Sequence, residues 1–300
     1  MALDVAIGFV VMSKLMKDHA VHLYATPRQI QSLSDCYFYH TIDLPGHGTI
    51  EGEFDFRDRP GEYLGDMDFE EKRVFEVGSA NGFFTFFMER QGAEVVGFDL
   101  AEEDSWDVVP YSQYDYRSFI AERKRHVERL KNAFWLAHSL FQSKAKIVYG
   151  NAYEIPANLG PFDISILGCV LQHVRDPFSV LENAARFTKE TVVVAEFFPF
   201  GLRRFLEQRA KSFATKILGK NLRRAAKFSY VNRACLEFCP DPNGSFLKET
   251  WWHIWPETIR RFLEVLGFER TETTYHQKTY GRKSSRFYTV VGHRTRDLLS

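Results

Sequence analysis

Between Val74 and Asp99 the chain reads VFEVGSANGFFTFFMERQGAEVVGFD, which sets two carboxylates around a cluster of small residues. Val74, Phe75 and Val77 suit a short strand buried on both faces, and Gly78 ends it where the backbone must turn sharply. Glu76 interrupts that run. A carboxylate at the carboxyl end of a buried strand costs free energy unless it is paired or faces a polar ligand, so it marks a site rather than a core. Gly82 opens a helix through Met88, and Ala93 to Phe98 form the next strand, delivering Asp99 at its tip. An acidic residue there can accept both hydroxyls of a ribose. The stretch therefore reads as half of a nucleoside-cofactor site.

The glycine spacing separates two cofactor classes. A dinucleotide fingerprint needs G-x-G-x-x-G, so that a pyrophosphate can sit on a helix N-terminus. Here Gly78-Ser79-Ala80-Asn81-Gly82 has no third glycine in that register, which disfavours a nicotinamide-dependent oxidoreductase. The turn resembles motif I of the class I S-adenosylmethionine-dependent methyltransferases, E/D-x-G-x-G-x-G, with Ala80 at the middle glycine. The alternative is a plain strand-turn-helix that uses these small residues for packing. The resemblance implies cofactor contacts from Glu76, Gly78, Ser79, Asn81, Gly82, Asp99 and Leu100, with Asn151 and Ala152 near adenine and Gly168 at the facing loop.

The elements that must hold such a site follow in order. Residues 146 to 154 read as a third strand and polar turn, and residues 162 to 181 as a fourth strand, a loop and a helix starting at Pro177 with Asp176 as its N-cap. The loop from Gly168 to Arg175 thus lies at a strand's carboxyl end, where open α/β sheets bind ligands. Thr191 to Glu196 gives a fifth strand, and Phe268 to Tyr275 with Arg286 to His293 a closing hairpin. The expected fold is α/β: a Rossmann-like, doubly wound, seven-stranded mixed sheet with a C-terminal antiparallel hairpin, an N-terminal cap and a helical insertion. The division is a helical and loop cap over 1–65 and a core over 66–300, with the insertion at about 200–250.

The segments YFYHTIDLPGHGTIEGEFDFR, ERQGAEVVGFDL, SWD at 105–107 and VLQHVRDPFSVL at 170–181 together resemble a bacterial methyltransferase subgroup. That subgroup is related to the tRNA wobble-uridine 5-methoxy and carboxymethoxy transferases. The carboxymethyl-transferring enzymes carry a tyrosine where this chain has Gln172, so ordinary S-adenosylmethionine is the expected cofactor, with Arg175 leaving the carboxylated form open.

A sulfonium methyl is already activated, so holding the acceptor in line about 3 Å from the methyl carbon provides much of the rate. A neutral hydroxyl acceptor also benefits from a base with a pKa near 7. His173 and Glu196 are the candidate catalytic residues, against bland alternatives of a backbone-bonded loop histidine and a salt-bridged carboxylate. Gln172, Arg175 and Trp252 are the candidate substrate contacts. The expected activity is methyl transfer to an oxygen, in second place a nitrogen, on a small molecule, a sugar or an RNA nucleoside. A tRNA-modifying carboxymethyl- or methyltransferase and a non-catalytic RNA-binding protein that keeps the fold are the competing readings.

With 39 basic against 39 acidic residues, net charge predicts neither nucleic-acid nor membrane attachment, and any such contact must come from a local patch. One exists: nine Lys and Arg between 203 and 227 stand against Glu207, on a pattern that predicts an amphipathic basic helix or helix pair. It reads as a solvated lid face, a phosphate contact to RNA or a nucleotide sugar, or an anionic membrane contact. Trp251, Trp252 and Trp255 follow, two of them expected to pack. Thr26-Pro27 reads as a helix start, and residues 118–141 as a covering helix. The apolar run 5–12 is too short to span a bilayer and lacks the flanks of a signal peptide. Four cysteines give no disulfide density, which points to a cytoplasmic protein, and Cys235 with Cys239 on one helical face lacks the partners of a metal site.

Overall fold

A computed structural model describes residues 23–101, 107–198, 233–244, 247–280 and 283–297. The apolar run 5–12 and the basic segment 203–227 lie outside the described residues. In chain order come a hairpin of β1 (Ile42–Leu44) and β2 (Gly48–Ile50), a short α1 (Pro60–Tyr63), then β3 (Arg73–Val77), α2 (Phe83–Arg90) and β4 (Glu94–Asp99). The long α3 (Arg117–Phe141), β5 (Lys146–Tyr149), β6 (Phe162–Gly168), α4 (Pro177–Arg186) and β7 (Thr188–Phe197) follow. After them run β8 (Leu236–Phe238), β9 (Trp252–Ile254), α5 (Pro256–Val265), β10 (Arg270–Tyr280) and β11 (Lys283–His293).

The central sheet has the order β10-β11-β7-β6-β3-β4-β5. From β5 to β7 all neighbours are parallel, whereas β11 runs antiparallel to β7 and β10 antiparallel to β11. This is the expected doubly wound mixed sheet with its closing hairpin. Its strands are sandwiched because successive side chains point to opposite faces. Val193 and Ala195 of β7, with Phe287 of β11, pack on one face against Phe84 and Phe86 of α2 and Phe134 of α3. Val192 and Val194, with Tyr288 and Val290, pack on the other against Val180 and Leu181 of α4 and Ile259 and Leu263 of α5. The N-cap at Asp176 forms as expected, its side chain accepting the Ser179 N–H at 3.1 Å with Pro177 opening the helix. Among the described residues no helix is long and apolar enough to cross a membrane.

Three expectations are corrected. Thr26-Pro27 starts no helix; residues 26–32 carry no regular structure, and only a single turn of 3₁₀-helix forms at Leu33–Asp35. The reason is tertiary: the Ala25 N–H donates to the Ile147 carbonyl at 2.8 Å, pinning this segment to the sheet edge. The cap over 1–65, expected as helix and loop, also holds the β1–β2 hairpin. Cys235 and Cys239 share no helical face either, because they flank strand β8.

The segment from Phe38 to Phe56 belongs to the core of the protein. Phe38, Ile42, Leu44 and Phe56 are buried in the same cluster as α2. Asn81, fully buried, ties it to the glycine turn: its Oδ1 accepts the His40 N–H at 2.8 Å and its Nδ2 donates to the His40 carbonyl at 3.1 Å. Asn81→Ala leaves both backbone groups buried without partners, and the expected cost is roughly 2–4 kcal/mol in denaturant unfolding. An unchanged midpoint and slope would show that the clamp contributes nothing.

Candidate functional site

Strands β3 and β6 lie side by side, yet α2 leaves toward one face and α4 toward the other. A crevice opens beyond the carboxyl ends of two such strands. The turn after β3 occupies it. Gly78 and Gly82 adopt φ of +83° and +81°, and a Cβ at Gly82 would meet the Phe86 ring at 2.4 Å, so glycine is required there on both counts. Ala80 also has positive φ, at +49°, a conformation that disfavours a side chain. Its N–H donates to Asp99 Oδ2 at 2.9 Å, while the Leu100 N–H donates to Asp99 Oδ1 at 2.7 Å. The tip of β4 thereby holds the turn of β3 in shape. Each Asp99 oxygen keeps lone-pair capacity for a further donor.

Burial shifts this carboxylate cluster. Asp99 is raised by desolvation, against the two backbone N–H groups and the positive charge of Lys131. The Lys131 ammonium lies 4.1 Å from the centre of the Tyr149 ring. Glu76 is buried and accepts a short hydrogen bond from the Thr85 hydroxyl. Desolvation pushes its carboxyl up to about 7, opposed by that hydroxyl and assisted by the charge of Asp99. Ser79 is buried, and its hydroxyl lies 3.4 Å from the Glu76 carbonyl. Asn81 is committed to His40, so it reaches the crevice only by shaping the turn.

The facing loop is built from the other residues named by sequence. Glu196, at the end of β7 and buried, accepts the Leu171 N–H at 2.8 Å. Burial pushes its carboxyl up to about 8, against backbone N–H groups of residues 171, 172 and 197. His173 Nδ1 lies 2.5 Å from the Glu249 carbonyl, which can only accept, so Nδ1 carries the proton. Burial lowers its basicity. The Gln172 carbonyl accepts the Trp251 N–H at 2.9 Å, so this loop is zipped to residues 249–251. Arg175 donates its N–H to Asp107 at 2.6 Å, and its guanidinium pairs with the same carboxylate at 3.4 Å. Trp252 donates from its indole to the Arg175 carbonyl at 3.1 Å. Trp251 and Trp255 are buried and Trp252 only partly so, as the expectation of two packed tryptophans has it. Asn151 caps the turn after β5 by accepting the Tyr153 N–H at 3.0 Å, and the Asn183 amide donates to the Ala152 and Tyr153 carbonyls.

A cavity adjoins the glycine turn. Glu76, Gly78 and Ala80 line it from β3 and the turn, and Gly168 and Cys169 from the end of β6. The opposite wall is Tyr39, His40, Phe54, Phe56 and Tyr63. His173, Glu196, Gln172, Arg175 and Trp252 do not line it, and the structure makes them struts of the loop beside it. Sequence reasoning missed Tyr39, His40, Tyr63 and Cys169. The aromatic run at 37–40 was a signal of packing, and nothing in its spacing places it over a turn forty residues further on.

The strand order and the crevice define a doubly wound α/β protein with a glycine turn at the carboxyl end of β3. No family model and no curated relative matches the sequence. Solved structures resemble its fold. One is the magnesium protoporphyrin IX methyltransferase of Synechocystis PCC 6803 with bound SAH, at a TM-score of 0.44 and 14% identity, covering 77% of this chain and 78% of that one. Others are the N-terminal domain of EvdMO1 in the presence of SAH and D-fucose (0.46, 17%, 86% and 91%) and a SAM-dependent methyltransferase from Methanosarcina mazei (0.45, 15%, 75% and 93%).

The raised Glu76 carboxyl has a signed consequence. Between its ordinary 4.5 and about 7, the folded chain holds a proton that the unfolded chain has released. Stability from this group therefore falls as pH rises through that window. Glu76→Gln removes the ionisation, so relative to wild type it gains stability from pH ~4.5 to pH ~7.5, by up to about 3 kcal/mol. Parallel unfolding curves at both pH values check this, and a pH-independent difference would contradict it.

Proposed function

We propose that the protein transfers a methyl group from S-adenosylmethionine to an oxygen acceptor, with nitrogen second. The observation that carries this reading is the Asp99 carboxylate, which spans the Ala80 and Leu100 N–H groups at the tip of β4 beside the crevice. The donor set suits the cofactor. Asp99 retains acceptor capacity for two ribose hydroxyls, and Glu76 supplies a carboxyl beside the turn for a cationic ammonium or sulfonium group. Gly78, Ser79, Gly82 and Leu100 would shape the cradle, with Asn151 and Ala152 at the adenine end and Gly168 across the crevice. When bound, S-adenosylmethionine would supply a sulfonium methyl, whose C–S bond breaks to leave neutral S-adenosylhomocysteine as the acceptor's bond to carbon forms and the acceptor's proton passes to water.

The protein's own part is orientation and exclusion of water. Glu196 and His173 act in this reading by holding the loop after β6, the first through the Leu171 N–H and the second through the Glu249 carbonyl. The resemblance to wobble-uridine enzymes makes unmodified tRNA one acceptor to screen, with sugar nucleotides and small hydroxylated molecules beside it.

Calorimetric titration tests the cofactor. S-adenosylmethionine and S-adenosylhomocysteine are expected to bind, and NAD is not. Asp99→Ala is expected to weaken both by about tenfold or more, since a charge-assisted pair of hydrogen bonds is lost. Affinity unchanged in that variant removes Asp99 from the site, and tighter binding of carboxy-S-adenosylmethionine reverses the reading of Gln172.

A further inference from the structure

We infer that Asp107 is a positioning residue for the nucleoside half of the cofactor. Its carboxylate ties the segment that leaves β4 to the turn after β5 and to the loop after β6, and so sets the width of the slot that takes the base. The identity of the nucleoside rests on the methyl-transfer reading. The tie itself rests on the hydrogen bonds.

The sheet order fixes where a base must go. β4 stands between β3 and β5, with Asp99 at its tip. With the amino-acid half of the cofactor over the glycine turn of β3, a base on a ribose held by Asp99 extends the other way, toward β5. Asp99 and Tyr149 are partners across β4 and β5, and the Gly150 N–H donates to the Asp99 carbonyl at 2.8 Å. The turn after β5 therefore begins beside the ribose site. The Asn183 amide holds the backbone of that turn, donating to the Ala152 carbonyl at 3.3 Å and the Tyr153 carbonyl at 2.8 Å.

Asp107 joins this turn to its neighbours. Its Oδ2 accepts the Tyr153 hydroxyl at 2.8 Å and the Arg175 N–H at 2.6 Å, and its Oδ1 pairs with the Arg175 guanidinium at 3.4 Å. The Tyr153 hydroxyl in turn accepts the Asp176 N–H at 3.0 Å. Burial pushes that phenol up to about 12, helped by the Asp107 carboxylate, so it keeps its proton and donates. The Asp107 carbonyl accepts the Trp251 indole N–H. Chain from the ends of β4, β5 and β6, and from the run before β9, thus meets at one residue. Charge-assisted hydrogen bonds hold such a junction more firmly than neutral ones. Segments ordered in advance cost nothing more to order when a ligand arrives, so the junction contributes directly to affinity. A base is told from its analogue by hydrogen bonds at fixed positions, and a slot free to widen loses that discrimination first.

S-adenosylhomocysteine and S-inosylhomocysteine, which differ in the Watson–Crick edge of the purine, are the probes, titrated calorimetrically into the full-length protein. The wild type is expected to prefer the adenosyl ligand. Asp107→Ala and Tyr153→Phe are expected to weaken that ligand by about fivefold or more and to narrow its margin over the inosyl one. Asp107→Asn, which keeps an oxygen acceptor in place, is expected to recover both affinity and margin. Asp99→Ala acts on the ribose, so it is expected to weaken both ligands by one factor and keep the margin. Melting curves of the ligand-free variants show whether each is folded at the assay temperature. Where Asp107→Ala is not, Tyr153→Phe, which removes a single oxygen, decides alone. Variants that melt earlier but keep affinity and margin would make Asp107 a structural tie and overturn the inference. An equal loss for both ligands, or a wild type without preference, would overturn it too. A wild type that binds neither ligand sinks the methyl-transfer reading and this inference with it, whereas binding that the Asp107 and Tyr153 variants leave unchanged sinks this inference alone.

Discussion

Everything at the site depends on one constraint of topology: β3 and β6 are adjacent and parallel, but their onward helices pack on opposite faces of the sheet. Among the described residues no helix covers the gap between their carboxyl ends, and backbone from two turns lines it. That gap is useful only if the turns keep their shape without a ligand. Asp99 does this for the turn after β3, and Glu196 does it for the loop after β6. Both are carboxylates at strand tips, and both exchange solvation for backbone N–H groups. The same logic gives the loop after β6 its further ties, from His173 to the Glu249 carbonyl and from Trp252 to the Arg175 carbonyl.

The consequence is an electrostatic tension. Glu76, Asp99 and Glu196 are all raised by burial, and Asp99 raises Glu76 further. Lys131 offsets part of this from behind Asp99, and its ammonium is spread over the Tyr149 ring. A cationic group beside the turn would favour the ionised form of Glu76, which burial disfavours. Binding of such a group is then linked to proton release.

What was legible in the sequence was local. The β3–turn–α2–β4 unit reads directly from apolar runs punctuated by Gly78 and Gly82, and Asp176-Pro177 marks a helix start through capping chemistry that needs no tertiary partner. Thr26-Pro27 carries the same kind of signature and fails, because Ala25 finds its hydrogen bond on Ile147, more than a hundred residues away. The cavity was illegible for the same reason. Tyr63 and Cys169 meet across 106 positions, and His40 meets Asn81 across 41. Period and spacing carry no information about such pairs. His173 is a further case: the backbone-bonded alternative named for it could be read in the sequence, but its partner carbonyl, on residue 249, could not.

The position of His40 ties these threads together. Asn81 lies in the very turn that the resemblance assigns to the cofactor, yet both ends of its amide are spent on the backbone of His40. The turn after β3 therefore also fixes the wall across from it, through one side chain. Burial alone requires both ends of the amide to find partners, and taking both from one residue holds the turn and the wall in a single register.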